Sequence, residues 1–166
     1  AETLVRAGIG SITIIDGDDV DPTNKNRQLQ ALNSTVGEQK ALVLRDRFLD
    51  INPELNLTVH DQFMTPEAMK DLLNKNQFDF VMDCIDSITP KLSLILTLRW
   101  SKSKFISSMG AGGKLDPTRI KITDLFETKE CKFAKHLKKR LKKEGVRNKV
   151  LAVYSDEIQK PDSLQL

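Results

Sequence analysis

The stretch Phe78 to Cys84, FDFVMDC, constrains the fold more than any other, because it is apolar almost throughout and lies between two helix starts. Thr65–Pro66 and Thr89–Pro90 each set a capping threonine before a proline at the first helical position, predicting helices to about Asn76 and Lys102. A strand with apolar residues on both faces needs cover on both, which is the habit of a central strand in a parallel sheet. The rest of the chain keeps the same alternation. AETLVRAG reads as the end of a helix stopped at Gly8, Ile12 to Ile15 as a strand, Asn56 to His60 as another, and Lys104 to Met109 as the strand after the second Thr-Pro helix. Arg119 to Thr123 and Val150 to Ser155 add two more β-rich runs, with a helix over Cys131 to Glu144 between them. The expectation is an α/β fold, with a mostly parallel sheet and helices on both faces, in one domain over residues 1–158 followed by a polar tail at 159–166.

The 166 residues contain no apolar run near the roughly 20 needed to cross a bilayer, and the amino end has neither signal-peptide nor transit-peptide pattern. The chain therefore reads as soluble, without a membrane segment. Cys84 and Cys131 stand far apart and outside any C-x-x-C pair, which excludes a zinc site of the usual spacing and suits a reducing, intracellular compartment. Cys84 reads as a small core residue rather than a nucleophile.

Ile14 to Lys40 carries the densest set of directed polar groups. Asp16 and Asp18 follow a β-rich run, where an acid accepts hydrogen bonds from ribose hydroxyls or simply ends a strand in a wet turn. Asn24, Arg27 and Gln28 then come from a loop with no apolar period. Thr35 and Glu38 form a T-x-x-E pattern ahead of Ala41, Leu44, Phe48 and Ile51, predicting a helix from near Val36 with Lys40 in its second turn. A cation near the positive end of a helix dipole is unfavourable by about 0.3 to 1 kcal/mol, so Lys40 either faces an anion or lies solvated. At the end of the apolar strand, VMDCIDS offers Asp83 and Asp86 at a carboxyl edge, where open α/β sheets bind ligands, and Asp86 is the better placed of the two. Gly8 and Gly10 precede a strand, the reverse of a phosphate loop, and read as a turn. MGAGGKLDPT follows a strand without opening a helix and reads as a flexible, close-packed loop.

Charge is local. Lys132, Lys135, Lys138, Lys139, Arg140, Lys142 and Lys143 hold seven of the 26 bases with no acid between them, and the other 19 face 23 acids. Such a run either meets phosphates along a nucleic acid or forms the wet face of an amphipathic helix above Phe133, Leu137 and Leu141.

Taken in order, DGDDVDPTNKNRQ, VGEQKA and DCIDS resemble the adenylating superfamily that includes the ubiquitin-activating enzymes and the activators of sulfur-carrier proteins. INPE and SSMGAGGKLDPTRIKITDL resemble one branch, the tRNA threonylcarbamoyladenosine dehydratases. The resemblance implies a Rossmann-like fold, ATP and Mg²⁺ as cofactors, and dehydration of threonylcarbamoyladenosine in tRNA through a carboxyl-adenylate. Its alternatives are adenylation of the carboxyl terminus of a ubiquitin-like or sulfur-carrier protein, and a silent nucleotide- or RNA-binding module. By position it gives ATP binding to Asp16, Asp18, Asn24, Arg27, Gln28 and Lys40, catalysis to Arg27, Lys40 and Asp86, and metal binding to Asp86. The basic helix becomes the candidate tRNA surface, through Lys135, Lys138, Lys139 and Lys142. The resemblance also implies a homodimer, admits a sulfur-relay or carrier protein as partner, and places the protein in the cytoplasm, or in mitochondria in a eukaryote. The superfamily's G-x-G-G-V-G-S loop and its preceding strand are missing ahead of Ala1, as is the carboxyl-terminal continuation, so the expectation is a fragment that binds ATP poorly by itself.

Overall fold

The computed structural model describes residues 1–159, which divide into two compact units, Ala1–Met64 and the residues from Thr65 onward. All but the first residue of the polar tail expected at 159–166 lies outside the described residues.

The first unit runs α1 (Glu2–Arg6), β1 (Ser11–Ile15), a 3₁₀ turn (Pro22–Asn24), α2 (Lys40–Ile51) and β2 (Asn56–His60). β1 and β2 pair in parallel, Ile14 opposite Val59, as a crossover through a helix requires. Val5, Phe48 and Leu55 form the buried core of this unit, with Ile12, Ile14 and Leu57 packed against it. Glu2 ties α1 to α2: its carboxylate takes Arg6 Nε at 2.8 Å and Arg47 Nε at 2.6 Å. Gly8, at φ +84°, ends the first helical segment, where a side chain would be strained.

α2 starts at Lys40, four residues later than the T-x-x-E pattern predicts. The Thr35 hydroxyl closes the preceding loop instead, donating to Gln30 O at 2.7 Å and accepting from Leu32 N at 3.0 Å. Gly37 stands at φ +86°, outside helical space, and residues 37–40 run antiparallel to 18–20, with Val20 N donating to Glu38 O and Lys40 N to Asp18 O. The pattern was that of a cap; the segment is a turn that leads into one antiparallel bridge, Gln39 opposite Asp19.

The second unit holds α3 (Pro66–Lys75), β3 (Phe80–Asp83), α4 (Ile88–Leu98), β4 (Lys104–Ser108), β5 (Ile120–Asp124), α5 (Lys132–Lys143) and β6 (Leu151–Ser155). Its strands are ordered β3-β4-β6-β5, parallel except for β5, which pairs antiparallel with β6. Thr65 caps α3 as expected, accepting from Ala68 N at 3.2 Å. α4 starts one residue before Thr89, at Ile88, and Pro90 sits inside its first turn, where a missing N–H costs nothing. Leu92 and Ile95 of α4, Leu137 and Leu141 of α5, and Val150, Ala152 and Tyr154 form its core. β3 is parallel, as expected, but β4 is its one strand neighbour among the described residues, so Phe80 and Met82 are exposed rather than covered on both faces. Cys84, one residue beyond β3, is exposed and not a core residue; Cys131 is buried and caps α5, its Sγ accepting from Ala134 N at 3.4 Å. The expected loop at MGAGGK is closely held: Lys114 Nζ donates to the carbonyls of Ser155 at 2.5 Å and Glu157 at 2.9 Å. The fold is α/β and Rossmann-like, with parallel-rich sheets. Among the described residues no helix is long and apolar enough to cross a membrane.

Two surface carboxylates give the acid response its sign. Arg47 and then Arg6 hold the Glu2 carboxyl down from 4.5 to about 2, and Lys121 and then Arg119 hold Asp156 down from 3.8 to about 2. Each group binds fewer protons folded than unfolded, so its stabilisation is complete above the unfolded value and is lost as pH falls toward 2. The expected outcome is that Glu2→Gln and Asp156→Asn each flatten the pH dependence of the urea midpoint between pH 4.5 and 2, leaving the slope above pH 5 unchanged.

Candidate functional site

β1 runs straight into the acidic turn. Asp16 N still donates to His60 O at 3.1 Å, completing the β1–β2 ladder, and the Asp16 carboxylate then accepts from Asp18 N at 3.0 Å. Gly17 allows this turn, since a Cβ there would run into the Phe63 amide nitrogen and lie 2.8 Å from the Gln62 carbonyl carbon. Asp18 faces the antiparallel strip, and its Oδ2 accepts from Lys40 Nζ at 2.9 Å. Lys40 is buried, with 8% of its side chain exposed, against 55% for Asp18. It is therefore neither solvated nor in the second turn: it is the first residue of α2, at the positive end of the dipole, with one carboxylate for company.

The N-x-x-R-Q segment winds around a 3₁₀ turn. Asp21 caps it, accepting from Thr23 N at 2.8 Å, and Asn24, buried, answers with its Oδ1 accepting from Asp21 N at 3.2 Å. The Thr23 hydroxyl and amide hold the Asp21 carboxyl below its ordinary value, and the Lys40 and Arg27 charges add to the effect. The Asn24 backbone carbonyl accepts from both Arg27 N and Gln28 N, which ties the backbone of the two residues to the turn. Arg27 is exposed, and its Nη1 lies back across the turn, donating to Thr23 O at 2.9 Å and Asn26 Oδ1 at 2.8 Å. Gln28 is half-buried, accepting from Gln30 Nε2. The first unit thus gathers three carboxylates, a guanidinium and a buried ammonium, joined by hydrogen bonds and charge.

Asp86 stands in the second unit, exposed, beyond β3; its one hydrogen bond among the described residues is a long one from Ser87 Oγ at 3.4 Å. No group of three or more His, Cys, Asp or Glu suited to a metal occurs among the described residues. A single open carboxylate suits Mg²⁺, which dehydrates reluctantly and takes one or two protein carboxylates plus substrate phosphates; it does not suit a metal caged by protein alone.

Asp83, set aside in the sequence, is buried with a partner the sequence reading missed. Its Oδ2 accepts from Ser107 Oγ at 2.6 Å, its Oδ1 from Ile85 N at 3.0 Å, and Lys91 Nζ lies 2.9 Å from Oδ1. Lys91 is fully buried, and the approach is too oblique for a directed hydrogen bond, so charge holds the pair; the Phe133 ring centroid lies 5.8 Å from the ammonium. Burial pushes the Lys91 ammonium below its usual range, with Asp83 opposing the shift. The signal available was one lysine inside the otherwise uncharged helix ITPKLSLILTL.

On α5, Lys135, Lys139 and Lys142 are exposed, as a nucleic-acid surface needs. Lys138 is not free: it is half-buried, and its Nζ donates to Thr128 O at 2.8 Å, tying the helix to the loop before it. Desolvation, then the neighbouring Lys142 charge, pushes its ammonium below the ordinary lysine value.

Residues 1–155 match the ThiF family over nearly the whole chain. The chain belongs to the ThiF family. It is 46% identical over 142 residues to the Escherichia coli tRNA threonylcarbamoyladenosine dehydratase, covering 86% of this chain and 53% of that protein. With the Bacillus subtilis protein of the same name it shares 41% identity over 157 residues, 95% of this chain and 61% of that one. The chain thus spans between half and two thirds of the length of these curated relatives. A crystal structure of the E. coli dehydratase in complex with ATP superposes with a TM-score of 0.91 at 42% identity, over 96% of this chain and 68% of that one.

Two substitutions test the geometry of this ThiF-family chain. Lys91→Ala leaves the Asp83 carboxylate buried without a counter-charge, and urea unfolding is expected to show a loss of about 3 to 5 kcal/mol. Gly17→Ala forces the Asp16–Asp18 turn away from the Gln62–Phe63 backbone, with an expected loss of about 1 to 3 kcal/mol by the same measurement.

Proposed function

We propose that the protein bearing this chain is an ATP-dependent dehydratase of threonylcarbamoyladenosine in tRNA, working through a carboxyl-adenylate. The observation that carries the reading is the ordered set Asp16, Asn24–Arg27–Gln28 and Lys40, built around a buried ammonium, in a chain so similar to a dehydratase crystallised with ATP. A lysine buried at a helix amino terminus works against the dipole and against desolvation, and an arriving phosphate relieves both.

The chemistry follows from these groups. A carboxylate is a poor electrophile until one of its oxygens leaves with AMP. In the proposed reaction the threonylcarbamoyl carboxylate oxygen bonds to the α-phosphorus of ATP and pyrophosphate departs. A nucleophilic atom of the same substituent, losing its proton, then closes on the carboxyl carbon and expels AMP with that oxygen, so the net change is loss of water. Asp16 accepts from the ribose hydroxyls, while Asn24 fixes the loop that directs Arg27 and Gln28. Arg27 turns its planar fork from Thr23 O to the phosphates, and Lys40 exchanges Asp18 for a phosphate oxygen. Asp86 holds magnesium, which when bound neutralises phosphate charge. No cysteine is needed, since the substrate supplies its own attacking group. On the resemblance, the working assembly is a homodimer in the cytoplasm.

In the whole protein, Arg27→Ala and Asp86→Ala are each expected to slow the chemical step by about 2.7 to 4 kcal/mol, on the order of 10² to 10³ in rate. The measurement is ATP–pyrophosphate exchange driven by threonylcarbamoyl-modified tRNA. Exchange driven instead by a carrier protein's carboxyl terminus would turn the reading toward carrier adenylation, and unchanged rates in both variants would remove the proposed roles.

A further inference from the structure

α5 carries two basic stripes, and the structure separates them. Lys135, Lys138 and Lys142 lie along one, and Lys138 is already engaged by Thr128 O. His136, Lys139, Arg140 and Lys143, at the i, i+3, i+4, i+7 spacing of one helical face, lie along the other. These four, with Ile88 at the start of α4, line a surface cavity of about 340 Å³. No acid lines it, and none of the four joins an ion pair among the described residues. Arg140 and Lys143 fall in the last turn of α5, where cations suit the helix dipole, but His136 and Lys139 lie farther back, and the dipole does not account for them. Ile88 follows Asp86 by two residues, so the cavity opens beside the segment that carries the proposed metal-holding acid.

We infer that this cavity seats a backbone phosphate of the substrate tRNA, with Lys139, Arg140 and Lys143 supplying charge and His136 a ring donor. The inference rests on the tRNA reading above and narrows the contact to the stripe of Lys139, one of the four lysines named there. Charge complementarity names the occupant: three fixed cations in a shallow, open site fit the repeating anion of an RNA strand. The apolar floor at Ile88 holds the helix against the segment after β3, so a strand anchored there is fixed relative to Asp86.

The test is the salt dependence of tRNA affinity in the whole protein. Neutralising Lys139, Arg140 and Lys143 together to Gln is expected to make the slope of log K against log[salt] shallower by roughly 0.7 to 0.9, the loss of one phosphate contact. Lys135→Gln with Lys142→Gln is expected to change it by less than half as much, and the Kd for ATP should stay within twofold in both variants. The paired variant Lys139→Gln and Lys143→Gln, with Arg140 kept, should give an intermediate slope. An unchanged slope in the triple variant overturns the seat while leaving the dehydratase reading intact. Loss of ATP affinity with an unchanged tRNA slope also overturns it and assigns the cavity to a free nucleotide's phosphates. Failure of the unsubstituted protein to bind tRNA at any salt concentration overturns the tRNA reading and the seat together.

Discussion

A lysine buried in the first turn of a helix and met by a carboxylate at or just beyond the end of the preceding strand occurs in both units. Lys40 opens α2 against Asp18, and Lys91 is the fourth residue of α4 against Asp83. Each arrangement opposes the helix dipole by about 0.3 to 1 kcal/mol and removes an ammonium from water, which costs several kcal/mol more. A carboxylate close by offsets that cost for each lysine, so an ion pair joins each helix start to the segment at the end of the strand before it. Asp86 lies inside the closure made by Asp83 and Lys91, and Asp16 stands two residues before Asp18, at the edge of the other.

The two pairs differ in what can replace the carboxylate. Asp83 is buried, held by Ser107 Oγ and Ile85 N as well as by Lys91, and an incoming anion would have to break three interactions in a dry site. Asp18 is half in solvent and holds Lys40 by one hydrogen bond. Water already screens that carboxylate, so its displacement by phosphate costs little, whereas the ammonium stays satisfied throughout. The same chemical pair is thus closed to solvent in the second unit and open to it on the carboxylate side in the first. Local exposure makes the difference, and it is invisible in the one-letter sequence.

Periodicity and cap chemistry made most of the fold legible. Asn56–His60 is the strand that its β-rich run predicts, Thr65 caps α3, and α5 runs within one residue of each end of the helix expected over Cys131 to Glu144. The start of α2 was not legible, because the Thr35 hydroxyl serves equally to cap a helix or to close a loop, and the choice fell to long-range pairing between residues 18–20 and 37–40. Tertiary hydrogen bonds overrode a local pattern. Asp16, Asp18, Asn24, Arg27 and Lys40 were legible as a polar set, but Asn24's part as a buried anchor was not, since a loop asparagine looks the same whether it points inward or outward. Lys91 was missed for the opposite reason: one charge in an apolar helix reads as surface until its partner is known.

The basic run shows how far counting charges can go. Seven cations between Lys132 and Lys143 give a field, and a field attracts any polyanion without choosing where it lands. Packing does the choosing. Ala134, Leu137 and Leu141 fix which face of α5 is buried, and that leaves the remaining faces with different surroundings. One stripe overlooks the loop before the helix, where the Thr128 carbonyl captures Lys138 and removes it from competition. The other overlooks the amino end of α4, where Ile88 offers no acceptor and the cations stay unpaired. Two basic stripes differ because one faces a backbone carbonyl that engages its central lysine and the other an aliphatic side chain, and the second keeps all its cations free of such a contact.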